Sequence, residues 1–418
     1  MSLTNLTIND DKFYINGKPT YSEFPDSPCS GLLLNARLIQ GVFDDQADPS
    51  RFSRFGRSFD PERNTDELIA ALPQWYEAGM RGFTVGFQGG GPCFTIDSRT
   101  IENNPFSEDG LKIDPAYLSR MERLLKAADS IGMVAIVSYF YMAQCRFFKD
   151  DEAVKNAVSS ASRWLKQTGL KNIIIEVENE YDIEGFPRPT ILTKPEGIIE
   201  LMQLAREESG GLPCGCSGTG GHFNFDIAKA SDVILIHGNG LSSQEYYQLI
   251  QKAKAVQPAR PIVCNEDSPA ISRIDLAVRE GTSWGYYNGM TKQEPPADWT
   301  ITAGADAFFA ERMSIACGKE PISTPRPQKL CLQGLEPSER LDGKAWISLS
   351  SLYPELIERV DFFRNGKLID RTYEEPFLVN YQYTWLHSPV LNVKPGEIFS
   401  ASVYFRDGTS QIIEKTVE

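Results

Sequence analysis

Residues 173–182, read Ile-Ile-Ile-Glu-Val-Glu-Asn-Glu-Tyr-Asp, place Asn179 and Glu180 side by side where an apolar run ends. The run 172–177 is rich in β-branched residues and reads as a buried strand, and a period of two puts Glu176, Glu178 and Glu180 on one of its faces. Carboxyl groups are costly to bury unless paired or used. Glu176 and Glu178 therefore read as paired structural acids. Glu180, where the strand opens into a loop, reads as a carboxyl available for acid/base work. A second acid of this kind ends the short apolar stretch Pro261-Ile-Val-Cys-Asn-Glu266. Taken alone, Glu266 is also compatible with a helix start, since Asp and Ser before Pro in Asp267-Ser268-Pro269 are good N-terminal signals.

Two strand-ending glutamates suit one reaction class in particular. Retaining glycoside hydrolysis needs one acid to protonate the leaving oxygen and a second, roughly 5 Å away, to attack the anomeric carbon and form a covalent glycosyl intermediate. Two carboxyls held that close divide the roles, because an apolar setting and the charge of the partner keep a proton on one of them.

The segment Glu176-Val177-Glu178-Asn179-Glu180 resembles the strand-four pattern of clan A of the retaining glycoside hydrolases, which are (β/α)8 barrels with Asn-Glu after strand four and Glu after strand seven. Val177-Glu178-Asn179-Glu180-Tyr181 also looks like the corresponding segment of the β-galactosidase family. By that resemblance Glu180 is the general acid/base, Asn179 binds the sugar 2-hydroxyl and Glu266 is the nucleophile. His237, ending Asp232-Val-Ile-Leu-Ile-His237, matches a strand-six residue that contacts the nucleophile. Trp284, in Thr282-Ser-Trp-Gly-Tyr-Tyr287, matches the strand-eight tryptophan that floors the first sugar subsite. From the residues alone, His237 is equally read as satisfying local backbone groups, and Trp284 as filling. Cys264-Asn265-Glu266-Asp267-Ser268 departs from the Gly-Glu-x-Gly type of common cellulases, which leaves the substrate open.

The rest of the chain alternates strand and helix signals around these positions. Strands are expected within 32–43, at 83–87, 133–139, 212–217 and 232–237, and helices at 65–78 with Asn64 as cap, 115–130, 152–167, 195–208, 222–230, 243–255 and 303–316. Eight alternations point to a closed parallel barrel, whose active sites sit at the C-terminal strand ends. Ahead of it, Phe13-Tyr-Ile-Asn-Gly-Lys-Pro19 reads as a hairpin with an Asn-Gly turn, expected to close the barrel floor.

Three prolines within Glu320-Pro-Ile-Ser-Thr-Pro-Arg-Pro327 suggest a linker. Beyond it, 344–350, 358–363, 399–405 and 410–416 alternate as half-buried strands, and Asn365-Gly366 marks a hairpin. Val360-Asp-Phe-Phe-Arg-Asn-Gly-Lys resembles a strand-turn segment of the immunoglobulin-like modules of polysaccharide-degrading enzymes. Such a module either packs a barrel flank or offers a carbohydrate-binding surface, and Trp385 fits core better than platform. The expected organisation is therefore a hairpin over 1–22, a (β/α)8 barrel over 23–320 and an all-β sandwich over 328–418.

The chain has 418 residues and a net charge of −14, which argues against nucleic-acid partners and for a neutral oligo- or polysaccharide. Arg51, Arg54, Arg57 and Arg63 could touch an acidic sugar, although solvated loop charges are the simpler reading. No apolar run is long enough to span a membrane, and Met1-Ser-Leu-Thr-Asn lacks a basic-then-apolar leader. That start reads as cytoplasmic for the chain as it stands, or as secreted or periplasmic if a leader has been removed. The eight cysteines lack Cys-x-x-Cys spacing; Cys214, Cys216 and Cys264 fall inside strands as small hydrophobes. With three histidines, His222, His237 and His387, no metal and no cofactor are expected. Gln88-Gly-Gly-Gly-Pro92 and Gly218-Thr-Gly-Gly-His222 lack phosphate-cradle spacing and read as substrate loops. Tyr139, Tyr141, Tyr286, Tyr287 and Trp299 are candidates for stacking on sugar faces, Tyr139 and Tyr286 foremost, with packing roles expected for about half of them. The sequence thus points to a retaining β-glycosidase acting by double displacement, the alternative being a catalytically silent barrel that binds saccharide.

Overall fold

The computed structural model describes residues 2–89, 96–320, 329–341, 343–381 and 390–418, with Met290 described for its backbone only. The loop from Gly90 to Pro92, most of the proline stretch after Glu320, Trp385 and His387 lie outside the described residues.

A three-stranded antiparallel sheet opens the chain: β1 (Leu6–Asn9), β2 (Lys12–Ile15) and β3 (Lys18–Pro19). Asn16 and Gly17, at φ 52° and 78°, make the tight turn that the Asn-Gly pair announces. Eight parallel strands then alternate with helices. They are β4 (Asn35–Arg37), β5 (Gly82–Gly86), β6 (Val134–Tyr141), β7 (Ile173–Asn179), β8 (Cys214–Gly215), β9 (Ile234–His237), β10 (Ile262–Glu266) and β11 (Gly285–Tyr286). Between and after them run α1 (Pro61–Glu77), α2 (Pro115–Ile131), α3 (Asp151–Thr168), α4 (Pro195–Ser209), α5 (Phe225–Ala230), α6 (Ser243–Lys254), α7 (Arg273–Arg279) and α8 (Ala305–Ala316).

The parallel ladder does not run as one continuous ring. Six strands pair in the order β11-β4-β5-β6-β7-β8, and β9 pairs with β10 separately. Across one gap Asp232 N–H donates to Cys214 O at 2.8 Å; across the other, Val263 and Ser283 form an isolated parallel bridge. β8 is two residues long, and Gly215 in it lies close to its neighbour: a Cβ there would sit 2.4 Å from Val233 O.

Local signals explain the helix limits. Asp60 caps α1 by accepting from Arg63 N–H, and Pro61 occupies the first turn, so the helix begins four residues before the Thr65 start read from the sequence. Asn64, expected as the cap, is buried and donates to Gln40 O. A capping box at Ser242 and Glu245 starts α6, and Gly132, Gly169 and Gly210 end α2, α3 and α4 in the left-handed conformation. The short α7 carries no side-chain cap and was not legible beforehand. On α2 the buried residues Tyr117, Met121, Leu124, Leu125 and Ala128 repeat at helical spacing, and the larger ones contribute roughly 1.5–3 kcal/mol each by leaving water.

Leu6 and Phe13 of the N-terminal sheet pack with Leu33, Val134, Ile174, Val233 and Val263, all at or near the starts of parallel strands. The hairpin therefore covers the end of the sheet opposite Glu180 and Glu266. Beyond residue 329, the sheets β12-β14-β17 and β16-β15-β19-β20 are antiparallel and share one core that includes Leu332, Leu349, Val360, Phe362, Ala401 and Val403. In them β12 is Leu330–Gln333, β14 Ser348–Ser351, β15 Ile357–Arg364, β16 Lys367–Thr372, β17 Phe377–Leu378, β19 Ile398–Phe405 and β20 Ser410–Thr416, while β13 (Lys344–Ala345) and β18 (Leu391–Asn392) form a separate antiparallel pair. The burial of β19 alternates along its length, as a strand with one face on a core requires. Asn365-Gly366 turns β15 into β16 with both residues at positive φ. Tyr287, Trp346 and Leu378 form a small cluster where the two parts meet.

Candidate active site

Glu180 follows the last residue of β7 and Glu266 ends β10. Both lie at C-terminal ends of parallel strands, where outgoing helices leave room for a cleft. One carboxylate oxygen of each, together with a nitrogen of His237, lie within 4.8 Å of one another. The Glu180 side chain is 15% exposed and that of Glu266 8%, so both are sheltered yet reachable.

The backbone aims Glu180 in an uncommon way. Its φ is 57°, in the left-handed region that costs a non-glycine residue on the order of 1–2 kcal/mol. Surrounding bonds hold it there: Glu180 N–H donates to Ser217 Oγ at 3.2 Å and Tyr181 N–H to Ser217 O at 3.2 Å. On β10 a register shift between Cys264 and Glu266 sets Glu266 opposite His237, the re-aiming that a bulge provides.

His237 is fully buried between the two acids. Its Nδ1 lies 3.0 Å from Glu180 Oε1 and 3.9 Å from Glu266 Oε2. Burial alone pulls the imidazole pKa down, but the charge of Glu266 and the hydrogen bond to Glu180 outweigh it, and the ring ends above its usual value. Glu266 is held from two further sides. Arg37, the last residue of β4, places Nε 2.8 Å from Oε2, and Asn239 Nδ2 donates to Oε1 at 2.8 Å. Arg37 also stands over the Tyr287 ring, 5.7 Å from its centre. Asn265 donates to Glu176 Oε1 at 3.0 Å, and Arg188 pairs with Glu178 at 2.7 Å, so these two acids have the partners expected of structural carboxyls. Burial pushes the Glu178 carboxyl up to about 8 despite the Arg188 charge.

Asn179, beside Glu180, is buried, and its Oδ1 has no protein partner. Trp284 is fully buried; its ring packs on Tyr286 and Phe309, and its Nε1 donates to Asp267 Oδ2 at 2.8 Å. Asp267 also takes Arg273 at 2.7 Å, so Trp284 braces the residue next to Glu266. Tyr139 and Tyr286 are not brought to the pair. Tyr139 shares its hydroxyl with Ser162 among Phe87 and Phe140, and Tyr286 donates to Asp306 while stacked 4.2 Å from Phe309. Trp299 is likewise buried, donating to Asn64. Of the loop arginines, Arg51 pairs with Asp45, Arg54 with Glu294 and Arg57 with Glu67, while Arg63 bonds Ser58, all away from Glu180 and Glu266. Arg37 and Asn239 were missed from the sequence, since a three-residue strand and a loop asparagine carry no local mark of their distant partner.

Glu180, His237 and Glu266 also make the single cluster, among the described residues, with three metal-type ligand atoms in reach of one ion. The guanidinium of Arg37 already stands against Glu266, and that fixed charge opposes a cation at the same carboxylate.

No protein-family model matches the sequence, and no curated protein matches it. Solved structures that align with the chain include glycoside hydrolases. A candidate glycoside hydrolase from Bacteroides vulgatus aligns over 96% of this chain and 82% of its own at a TM-score of 0.50 and 11% identity. A β-glucuronidase from Parabacteroides merdae aligns over 99% and 50% at 0.45 and 11%, and a candidate β-galactosidase from Bacteroides fragilis over 99% and 57% at 0.45 and 12%. The chain thus spans about half the length of the β-glucuronidase. At such identity the likeness is one of fold. Among the described residues no helix is long and apolar enough to cross a membrane.

Proposed function

We propose that the chain is a retaining β-glycosidase of the clan A type, built on a (β/α)8 barrel with an immunoglobulin-like sandwich after it. The observation that carries this reading is the approach of the Glu180 and Glu266 carboxylate oxygens to within 4.8 Å at the ends of two parallel strands. Retaining enzymes hold their carboxyls about 5–5.5 Å apart, whereas inverting ones need roughly 6.5–9.5 Å to admit a water. The strand order around the sheet, with hydrogen bonds across both gaps, supports the barrel.

In the first step an oxygen of Glu266 bonds to the anomeric carbon while the bond to the leaving oxygen breaks, and Glu180 gives that oxygen its proton. In the second, Glu180 takes a proton from water as the water attacks the anomeric carbon, and Glu266 departs as carboxylate. Arg37 and Asn239 fix the rotamer of Glu266, and Asn179, whose buried Oδ1 lacks a protein partner, is the residue assigned to a sugar hydroxyl. An oligo- or polysaccharide is the substrate class, and no cofactor takes part in either step. A silent binding barrel would be expected to lack one carboxylate, and this chain keeps both.

The stereochemistry of the first-formed product tests the reading. Proton NMR of a freshly hydrolysed aryl β-glycoside should show the β anomer before mutarotation, and initial release of the α anomer would overturn the retaining assignment.

A further inference from the structure

The three residues after Asn179 are gripped by one loop, residues 217–222. Beyond the two bonds from Ser217, Thr219 donates to Asp182 through N–H at 2.7 Å and Oγ1 at 2.6 Å. His222 completes the grip: its Nδ1 lies 3.3 Å from Asp182 Oδ2, and its Nε2 lies 2.8 Å from the Tyr181 hydroxyl. The imidazole thus stands between Asp182 on its Nδ1 side and the Tyr181 hydroxyl on its Nε2 side.

The other side of this loop rests on the elements that carry Glu266. Gly221 N–H donates to His237 O at 3.1 Å. Gly220 lies so close to Asn239 that a Cβ would meet its carbonyl at 2.2 Å, and Asn239 is the residue that donates to Glu266. One short segment therefore spans the flanks of both carboxylates, and a side chain at Gly220 would force them apart.

We infer that loop 217–222, acting through the Asp182–His222–Tyr181 relay, is the positioning device that holds Glu180 at working distance from Glu266. This rests on the glycosidase reading above. His222 and Tyr181 are positioning residues: they touch neither carboxylate and act by holding the backbone of Glu180 in its left-handed turn.

The test compares kcat/KM of the full chain on phenyl and 2,4-dinitrophenyl β-glycosides of one sugar. Phenoxide needs a proton to leave and dinitrophenoxide does not, so a displaced acid harms only the first. His222→Ala and Tyr181→Phe should each lower the phenyl value at least about tenfold, within the ~10²-fold cost of a 1 Å misplacement, and leave the dinitrophenyl value within about twofold. His222→Asn, which keeps a hydrogen toward Asp182, should recover much of the loss. Equal losses on both substrates, or none, would overturn the inference. Should His222→Ala fail to fold, Tyr181→Phe keeps the ring and supplies the same comparison. Wild-type protein that shows no turnover of either glycoside and no covalent labelling of Glu266 would instead remove the glycosidase reading itself.

Discussion

Nε of Arg37 lies 2.8 Å from Oε2 of Glu266, and both side chains are almost wholly shielded from solvent. A buried charge pair is costly to break, since the partner left behind has neither water nor counter-charge. The pair also ties the ends of β4 and β10 together, beneath the carboxylate that must present one oxygen to substrate.

Arg37→Met is therefore expected to lower kcat/KM by at least about 30-fold, the scale of the roughly 2–5 kcal/mol lost on truncating a buried charge pair. Arg37→Lys should do little better, because a point charge on a flexible stem does not reproduce a held guanidinium. Steady-state kinetics on an aryl β-glycoside decide this, and near-wild-type activity in Arg37→Met would leave the arginine without a catalytic contribution.

Glu180→Ala should lose about 10²–10⁴ in rate on substrates with poor leaving groups, the range that general acid/base catalysis supplies. Activated aryl glycosides should still form the intermediate. Added azide, which attacks without needing a base, should then restore turnover and yield a β-glycosyl azide. Absence of rescue would argue against Glu180 as the acid/base.

His237 gives stability a pH dependence of definite sign. Its folded pKa is raised, because Glu266 and the bond to Glu180 outweigh burial. The contribution of the charged ring is then fully present below about pH 6.5 and is lost as pH rises through the higher folded value. The Tm gap between wild type and His237→Gln should therefore be wider near pH 6 than near pH 9. A gap that widens with pH would contradict the assignment.

The buried Arg188–Glu178 pair predicts a stability effect separate from chemistry. Arg188 also donates to Tyr181 O and Ile183 O, both at 2.6 Å, and so anchors the turn after Glu180. Arg188→Met should cost about 1–3 kcal/mol in chemical denaturation near neutral pH, where Glu178, pushed up to about 8, is mostly protonated and the loss is that of its hydrogen bond and the two backbone bonds. Adding Glu178→Gln should return part of that loss, since it removes the stranded acid. Equal instability of single and double variants would place the cost in the backbone bonds instead.

The sequence carried much of this wherever the signal was local. Glu180 and Glu266 stood out because apolar runs end on them, and both Asn-Gly turns could be read because few residues tolerate paired positive φ. The start of α1 was misplaced because Asn64 looked like a cap while Asp60-Pro61 carried the stronger one. For Trp284 the sequence leaves sugar floor and filling open, and its buried indole holds Asp267. Arg37, Asn239 and Ser217 were invisible for one reason: each acts across the fold on a residue far along the chain. Gly218-Thr-Gly-Gly-His222 read as a substrate loop from its glycines, whereas its bonds to Asp182 and His237 emerge only from the packing.

The most direct test of the central claim is a covalent one. The protein would be incubated with a panel of 2-deoxy-2-fluoro-β-glycosyl fluorides, followed by intact and peptide mass measurement. The account predicts a single adduct on Glu266, absent in Glu266→Gln. An adduct on another carboxylate, or turnover by Glu266→Gln at the wild-type rate, would contradict it.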